Sequence, residues 1–326
     1  MNSKVSLKSG EEFTCLAGQT ILEAAIQNGY YLEHSCKTGK CGACAVSCKG
    51  ETITKFDETH EPSKRNEKIL TCARIPSGDV YIDTENLAIL KGYPSKTIPA
   101  RIDSITMISS DVVSIVLRTP PNSPLKFISG QYINVIFDQG IKRSYSIANS
   151  PRSDNLIELQ IRKVENGVMS EYWFNNAKVN DLLRLEGPLG SFFIRSQQME
   201  NLIFLATGTG IAPVKAMLET LDQKSSDDSN LKISLFWGGR IPQDLYWEPI
   251  FENLNLDYYP VLSRFESERT FKGYVQDAVL QSGIDLSSSV VYSCGSIAMI
   301  ESAEILLKRN GLNQDCFYSD AFVSSN

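Results

Sequence analysis

A chain of 326 residues is too long for one ordinary hydrophobic core and suits two or three compact domains. With 42% apolar and 21% charged residues and a net charge of −6, it has a globular make-up and lacks the basic excess that nucleic acid or an anionic membrane demands. No apolar run is long enough to cross a bilayer, and Met1–Thr14 alternates polar residues where a secretory signal would be apolar, so a cytoplasmic protein is expected.

The first segment, to about Leu90, mixes short alternating runs with one helical pattern over Ile21–Asn28. Five of the eight cysteines (Cys36, Cys41, Cys44, Cys48 and Cys72) fall between residues 36 and 72. Without an export signal, such clustering points to metal or redox chemistry rather than disulfides. Cys36, Cys41 and Cys44 form C-x4-C-x2-C, with Cys72 further on, which is the spacing of plant-type [2Fe–2S] sites. One loop can then supply three thiolates and a remote turn the fourth. Gly39, Gly42 and Ala43 let backbone N–H groups approach the sulfurs. A four-thiolate zinc site is the rival reading; such sites usually present two Cys-x2-Cys knuckles, and here only Cys41 and Cys44 form one.

Cys48 could extend Cys41 and Cys44 into a bacterial-type cluster run, but no proline follows it. Cys44, Val46 and Cys48 share one parity of a predicted strand, so Cys48 reads as a core thiol, as do Cys15 and Cys316. His34 borders the array, but a Rieske centre needs two histidines on one iron, and a solvated or loop-bonded ring is expected. The one other histidine is His60, and two are few for an enzyme built on imidazole bases.

A glycine and two prolines in Lys91–Pro99 mark a linker. The second segment is dominated by period-two alternation. Val113, Ile115 and Leu117 share a face, and Ile157, Leu159 and Ile161 alternate with Glu158, Gln160 and Arg162, as in half-buried antiparallel strands of a small β-barrel. The polar stretch Arg195–Asn201 precedes a change of period. Strand-like runs (Leu202–Ala206, Ile233–Trp237, Tyr259–Leu262, Val290–Ser293) then alternate with helical patterns. One helix carries Ile211, Val214, Met217, Leu218 and Leu221 on a stripe; another runs from about Ile297 to Arg309 and stops at Asn310–Gly311. The predicted architecture is a small α+β domain (1–90), an antiparallel β-barrel (97–195) and a doubly wound α/β nucleotide-binding domain (200–326).

Chemistry-bearing motifs sit in the last two segments. Arg143-Ser144-Tyr145-Ser146 is a strand whose tyrosine, taken alone, could be an ordinary core residue. Gly167-Val168-Met169-Ser170 precedes a predicted short helix, Glu171–Asn176, and helix starts of this kind bind phosphate. Glu186-Gly187-Pro188-Leu189-Gly190-Ser191 is a tight turn. Leu202–Ala206 runs through Thr207-Gly208-Thr209-Gly210 into a helix, the setting in which a pyrophosphate is cradled, although the third Rossmann glycine is replaced by Pro213. Tyr292-Ser293-Cys294-Gly295-Ser296 joins another strand to a helix; its cysteine could equally be a buried strand-end thiol.

In this order these motifs resemble the ferredoxin–NADP reductase superfamily. The resemblance implies FAD in the barrel and a nicotinamide nucleotide on the third domain. Arg143 would pair with the flavin pyrophosphate, Tyr145 would lie against the isoalloxazine, and Ser146 would bond near its hydride-accepting nitrogen. Ser144 belongs to the same cofactor strand. Gly167, Val168, Met169 and Ser170 would hold the pyrophosphate, Gly208, Thr209 and Gly210 the nicotinamide nucleotide. Cys294 and Gly295 would flank the nicotinamide, making Tyr145, Ser146 and Cys294 the catalytic group. A C-terminal aromatic shields the flavin in relatives; Phe322 is the candidate, against a core phenylalanine ending the last strand. NADH is the expected donor, with NADPH left open by Arg240 and Ser263-Arg264 near two strand ends.

The whole chain also resembles the CDP-6-deoxy-3,4-glucoseen reductase family through His34-Ser35-Cys36-Lys37, Arg143–Asn149, Ile161–Val168 and the tail Phe317–Val323. That resemblance implies a β-grasp ferredoxin domain, with Cys36, Cys41, Cys44 and Cys72 as cluster ligands. It further implies electron transfer from NADH through FAD and the cluster to a redox protein acceptor. In that family the acceptor is a pyridoxamine-phosphate dehydrase of 3,6-dideoxyhexose synthesis for bacterial surface polysaccharide. The alternative is the reductase component of an aromatic-ring dioxygenase or di-iron monooxygenase; a zinc-bearing structural protein is a third reading.

Overall fold

The computed structural model describes residues 2–55, 64–65, 68–137, 140–195, 199–224 and 231–322. His60, Val323 and residues 196–198 of the polar boundary stretch lie outside the described residues. The chain forms two compact units, one of residues 1–94 with 190–192, the other of residues 95–189 with 193–326.

In the first unit, β1 (Ser3–Leu7) pairs antiparallel with β2 (Glu12–Cys15) and parallel with β9 (Val80–Ile82), which also pairs with β4 (Cys48–Lys49). Between them lie β3 (Ala45–Val46), β5 (Thr52–Thr54), β6 (Lys64–Arg65), β7 (Lys68–Leu70) and β8 (Arg74–Pro76). The helix α1 (Ile21–Gln27) starts at Thr20, whose hydroxyl accepts from the Glu23 N–H while the Glu23 carboxylate accepts from the Thr20 N–H. It turns Ile21, Leu22, Ala24 and Ala25 onto the sheet, where they join Val5, Leu7, Leu32, Val80 and Ile82 in one core. This is a β-grasp ferredoxin arrangement.

The second unit opens with an antiparallel sheet of order β13-β12-β15-β10-β11-β14. Its strands are β10 (Lys96–Ser109), β11 (Val112–Arg118), β12 (Tyr132–Ile136), β13 (Lys142–Ser146), β14 (Leu156–Arg162) and β15 (Leu182–Leu189). The alternation read from the sequence is realised: Val113, Ile115 and Leu117 pack inward against Ile157, Leu159 and Ile161. One bridge, Ile147 with Leu159, and the Ala148 N–H to Glu158 carbonyl bond (2.8 Å) join the two edge strands and close the barrel.

Helix α2 is earlier than predicted. It spans Val168–Glu171 and passes into a π-helical turn over Tyr172–Asn176, which buries Met169 and Trp173 in the barrel core. The Ser170 hydroxyl accepts the Val164 N–H at 2.8 Å, fixing the helix start against the preceding turn.

A parallel sheet of order β19-β18-β17-β16-β20-β21 follows. It comprises β16 (Asn201–Thr207), β17 (Lys232–Gly239), β18 (Leu256–Leu262), β19 (Phe271–Lys272), β20 (Ser289–Ser296) and β21 (Phe317–Phe322). Helices α3 (Ile211–Gln223), α4 (Val275–Ser282) and α5 (Ile297–Arg309) cross between strands. β16 and β20 are buried along nearly their whole length, which explains their unbroken apolar runs. Chain order reverses between β16 and β20, and the crevice at the carboxyl ends of such strands is where doubly wound sheets bind ligands.

Candidate functional site

The cysteine loop of the first unit turns through three residues with left-handed backbone, Lys37, Gly39 and Gly42 (φ 57°, 76° and 78°). The turns aim backbone donors at sulfur. The N–H groups of Thr38 and Cys41 both lie 3.4 Å from Cys36 Sγ. Cys72, on the turn before β8, brings its sulfur 3.3 Å from that of Cys44. A hydrogen bond with the Cys41 thiol, aided by the backbone amides, holds the Cys36 thiol far below its ordinary value. The Cys44 thiol likewise lowers Cys72 from its ordinary value.

Cys41 and Cys44, the donors of those bonds, are driven the opposite way. The four thiols are therefore arranged two and two, and Cys72 lies near enough to Cys36 to feel its charge. Among the described residues no group of three or more His, Cys, Asp or Glu side chains is set to hold a single metal ion. Two adjacent thiol pairs suit a two-iron cluster, in which each iron takes two protein ligands.

Cys48 does not share a strand with Cys44. Ser47 breaks the run, so β3 pairs with β7 while β4 pairs with β9, and Cys44 precedes both. Cys48 is half-buried against the ferredoxin core and burial pushes its thiol up. Cys15 is buried in the same core; Cys316 is only half-buried, outside the tight core expected for it. His34 is not solvated. Its Nδ1 lies 2.8 Å from the Leu32 carbonyl, its N–H donates to Ser191 Oγ within the same unit, and burial, with the charge of Lys37, pushes its pKa down to about 4.

In the barrel, strand parity separates the Arg143–Ser146 residues. Arg143 and Tyr145 share one face. Ser144 takes the other, where its hydroxyl donates to Asn134 Oδ1 at 2.7 Å, and Ser146 is buried at the strand end. The Tyr145 hydroxyl accepts from Trp173 Nε1 at 3.0 Å, the two rings meeting edge to face. Burial pushes the Tyr145 phenol up to about 12, so it stays neutral. Gly167 and Ser170 sit together at the start of α2, where the Ser170 oxygen is engaged by Val164 and its proton is left to donate. Met169 is buried, so only its backbone is available there; Val168 is exposed.

The carboxyl ends of β16 and β20 bring the nicotinamide motifs together. Gly208 has φ 54°, and a Cβ there would lie 3.0 Å from Arg162 Nη1. At Gly210 a Cβ would fall 2.2 Å from the Cys294 carbonyl oxygen, and at Gly295 it would fall 2.2 Å from Thr207 Oγ1. At Gly210 and Gly295 two strand ends and a turn share the space of one side chain. Trp237 Nε1 donates to the Gly208 carbonyl at 3.1 Å and pins the turn. Cys294 is wholly buried, and burial together with the neighbouring Asp320 holds its thiol protonated. Phe322 ends β21 at 40% exposure, beside Ser296 in register, and is no core residue.

Two residues of this region escape sequence reasoning. Arg162 reads as the polar half of an alternating strand, yet it reaches under the glycine turn, 3.2 Å from Asp111 and 3.7 Å from Asp244. Asp244 in turn accepts the N–H groups of Arg240 and Ile241 after β17. Lys215 lies among the polar residues of α3, yet its side chain is only 12% exposed. No local signal marks either, because each partner set is assembled from distant segments.

Three family models match in chain order: a 2Fe-2S iron-sulfur cluster binding domain over residues 5–77, an oxidoreductase FAD-binding domain over 99–194 and an oxidoreductase NAD-binding domain over 204–304. The chain is 40% identical to the CDP-6-deoxy-L-threo-D-glycero-4-hexulose-3-dehydrase reductase of Yersinia pestis, across 97% of each chain. It is 31% identical to a terephthalate 1,2-dioxygenase reductase component of Comamonas sp, across 100% of this chain and 98% of that one. The Amycolatopsis cytochrome P450 reductase GcoB shares the fold, with a TM-score of 0.74 at 24% identity over 98% of both chains. No described helix is long and apolar enough to cross a membrane. The chain thus binds a [2Fe–2S] cluster, FAD and NAD, and it belongs to the family of iron–sulfur flavoprotein reductases that includes the CDP-6-deoxy-L-threo-D-glycero-4-hexulose-3-dehydrase reductases.

Proposed function

We propose that this reductase draws electrons from NADH and delivers them singly to the dehydrase that acts with it in 3,6-dideoxyhexose synthesis, a pyridoxamine-phosphate enzyme. The observation that carries the reading is the full-length 40% identity to a reductase named for such a dehydrase. When bound, FAD accepts two electrons from the nicotinamide and releases them one at a time, and a [2Fe–2S] cluster carries one.

The chain's own residues bind and orient. Cys36, Cys41, Cys44 and Cys72 hold the cluster, each pair taking one iron. Arg143 neutralises the flavin pyrophosphate, which the Gly167–Ser170 segment grips with backbone donors and the Ser170 proton. Tyr145, locked by Trp173, offers its ring to the isoalloxazine, and Ser146 donates a hydrogen bond to it. The Gly208–Gly210 turn takes the nicotinamide pyrophosphate. Cys294, kept as a neutral thiol, packs beside the nicotinamide without placing a charge next to a hydride donor. Phe322 covers the flavin face until NADH arrives.

NADH is the proposed donor. Arg264 N–H donates to the Arg240 carbonyl, which stands the two arginines side by side at the ends of β17 and β18, so NADPH is the control to run. A cytoplasmic location is supported by the eight cysteines, all described and none in a disulfide. Reconstitution tests the acceptor. Purified reductase with NADH should drive the dehydrase reaction and leave a ring-hydroxylating dioxygenase component unreduced. Turnover with the dioxygenase alone would give the protein to the oxygenase systems, the reading that the Comamonas relative favours.

A further inference from the structure

The seam that closes the flavin barrel is thin. One bridge, Ile147 with Leu159, and the backbone bond from Ala148 to Glu158 join β13's continuation to β14. Onto that seam, within the same compact unit, α3 projects Lys215. Its ammonium donates to the Ala148 carbonyl at 3.0 Å and pairs with Glu158 and Glu219 at 2.8 Å each. The second oxygen of Glu219 accepts the Ser150 N–H at 2.8 Å, and Gln223 donates to the Ser150 hydroxyl at 2.8 Å. Glu158 is itself held by Ser114 and Gln160, and its N–H donates to Asn149 Oδ1. Burial works against the Lys215 charge, but Glu158 and Glu219 outweigh it and keep the cation above its ordinary pKa.

Both ends of this clamp are close in sequence to reacting groups. Ala148 is two residues beyond Ser146, about 7 Å of strand. Lys215 is five residues beyond Gly210, about 7.5 Å of helix. We propose that Lys215 is a positioning residue for hydride transfer: it clamps the barrel seam to the first helix of the nucleotide-binding half and so sets the spacing between the flavin strand and the nicotinamide turn. The inference rests on the reading that Arg143–Ser146 lines the flavin.

The chemistry is asymmetric. Without Lys215, two carboxylates and a carbonyl oxygen face one another across the seam with no cation between them, and repulsion opens the very contact the clamp closes. None of the clamp residues is among those assigned to either cofactor, so its loss should change how fast the hydride moves rather than how tightly either nucleotide binds.

The test uses the holoenzyme. In Lys215→Met, the limiting rate of flavin reduction at saturating NADH should fall at least tenfold, with half-saturation by NADH changed less than threefold and FAD still present at one per chain. Amide hydrogen exchange at Ala148 and Ser150, read independently of turnover, should accelerate. Lys215→Arg, which keeps the charge, should recover most of the rate and the protection. Wild-type reduction rates in Lys215→Met, or a loss expressed in NADH affinity alone, overturn the proposal.

Should Lys215→Met fail to hold FAD, Glu219→Gln is the milder probe. It should slow reduction and raise exchange at Ser150 with FAD retained, and wild-type behaviour there overturns the clamp equally. Arg143→Ala, run in parallel, reads the flavin assignment by itself: full FAD retention in that variant removes the assignment, whatever Lys215→Met does.

Discussion

A methyl group placed on the α-carbon of Gly210 would lie 2.2 Å from the carbonyl oxygen of Cys294, a distance at which one of the two strand ends must move. The glycine turn after β16 and the cysteine near the end of β20 are therefore one packed object. Gly210→Ala should displace Cys294 while leaving the barrel intact. Overpacking of this kind costs about 1–3 kcal/mol. If that cost falls on the reacting geometry, flavin reduction by NADH slows by roughly 5- to 150-fold. Stopped-flow reduction with normal FAD content is the expected result, and an unaltered rate would show that the turn is not the nicotinamide site.

The thiol pairing gives a separate test at the other end of the relay. Cys41→Ser should lose visible iron–sulfur absorbance and reduction of a one-electron protein acceptor, while NADH-dependent reduction of ferricyanide by the flavin persists. Cys48→Ser should retain about two irons per chain, as expected for a binuclear site. Iron analysis and the two activity assays separate these outcomes. Joint loss of both activities in a folded Cys41→Ser protein would mean that the flavin does not precede the cluster.

Phe322 offers a test of the tail. At 40% exposure it contributes little to the core, so Phe322→Ala should leave the thermal midpoint within a few degrees of wild type. If the ring covers the flavin, iodide should quench the bound FAD at least twice as efficiently in the variant. Equal quenching would reduce Phe322 to the end of a strand.

Alkaline stability follows from the buried phenols of the second unit. Tyr145 is pushed up to about 12 by burial, and Tyr246 and Tyr258 are raised from the same cause. Above pH 10 the unfolded chain releases phenolic protons that the folded chain keeps. Stability is therefore intact below pH 10 and declines as pH rises toward 12, by up to about 1.4 kcal/mol per pH unit for each tyrosine. Denaturant midpoints measured between pH 9 and 11.5 should fall, and less steeply in Tyr145→Phe. A flat profile would contradict the burial of these hydroxyls.

Local patterns in the chain carry most of the architecture. The period-two runs of Val113–Leu117 and Ile157–Ile161, the helical pattern of Ile21–Asn28 and the unbroken apolar strands of the last domain each report on their own burial, which is why the three modules are legible in order. Motif spacing carries the cysteine loop and the glycine turn for the same reason, since each is a single short segment bent around a ligand. Cys48 lies off the strand of Val46 although parity joins them, because a one-residue break between two strands leaves no mark on parity. The helix α2 starts at Val168, ahead of the predicted Glu171, because its start is anchored by the Val164 bond to Ser170, which only the folded turn forms.

Sequence by itself determined the three-cysteine loop, the redox class and the order of the domains, because each is marked by residues near one another along the chain. Tertiary structure alone decided that Gly210 abuts Cys294, that Cys44 pairs with Cys72, and that Lys215 clamps Ala148 and Glu158. Those relationships join segments tens of residues apart, and only the packing of strand ends and helices brings their atoms within reach.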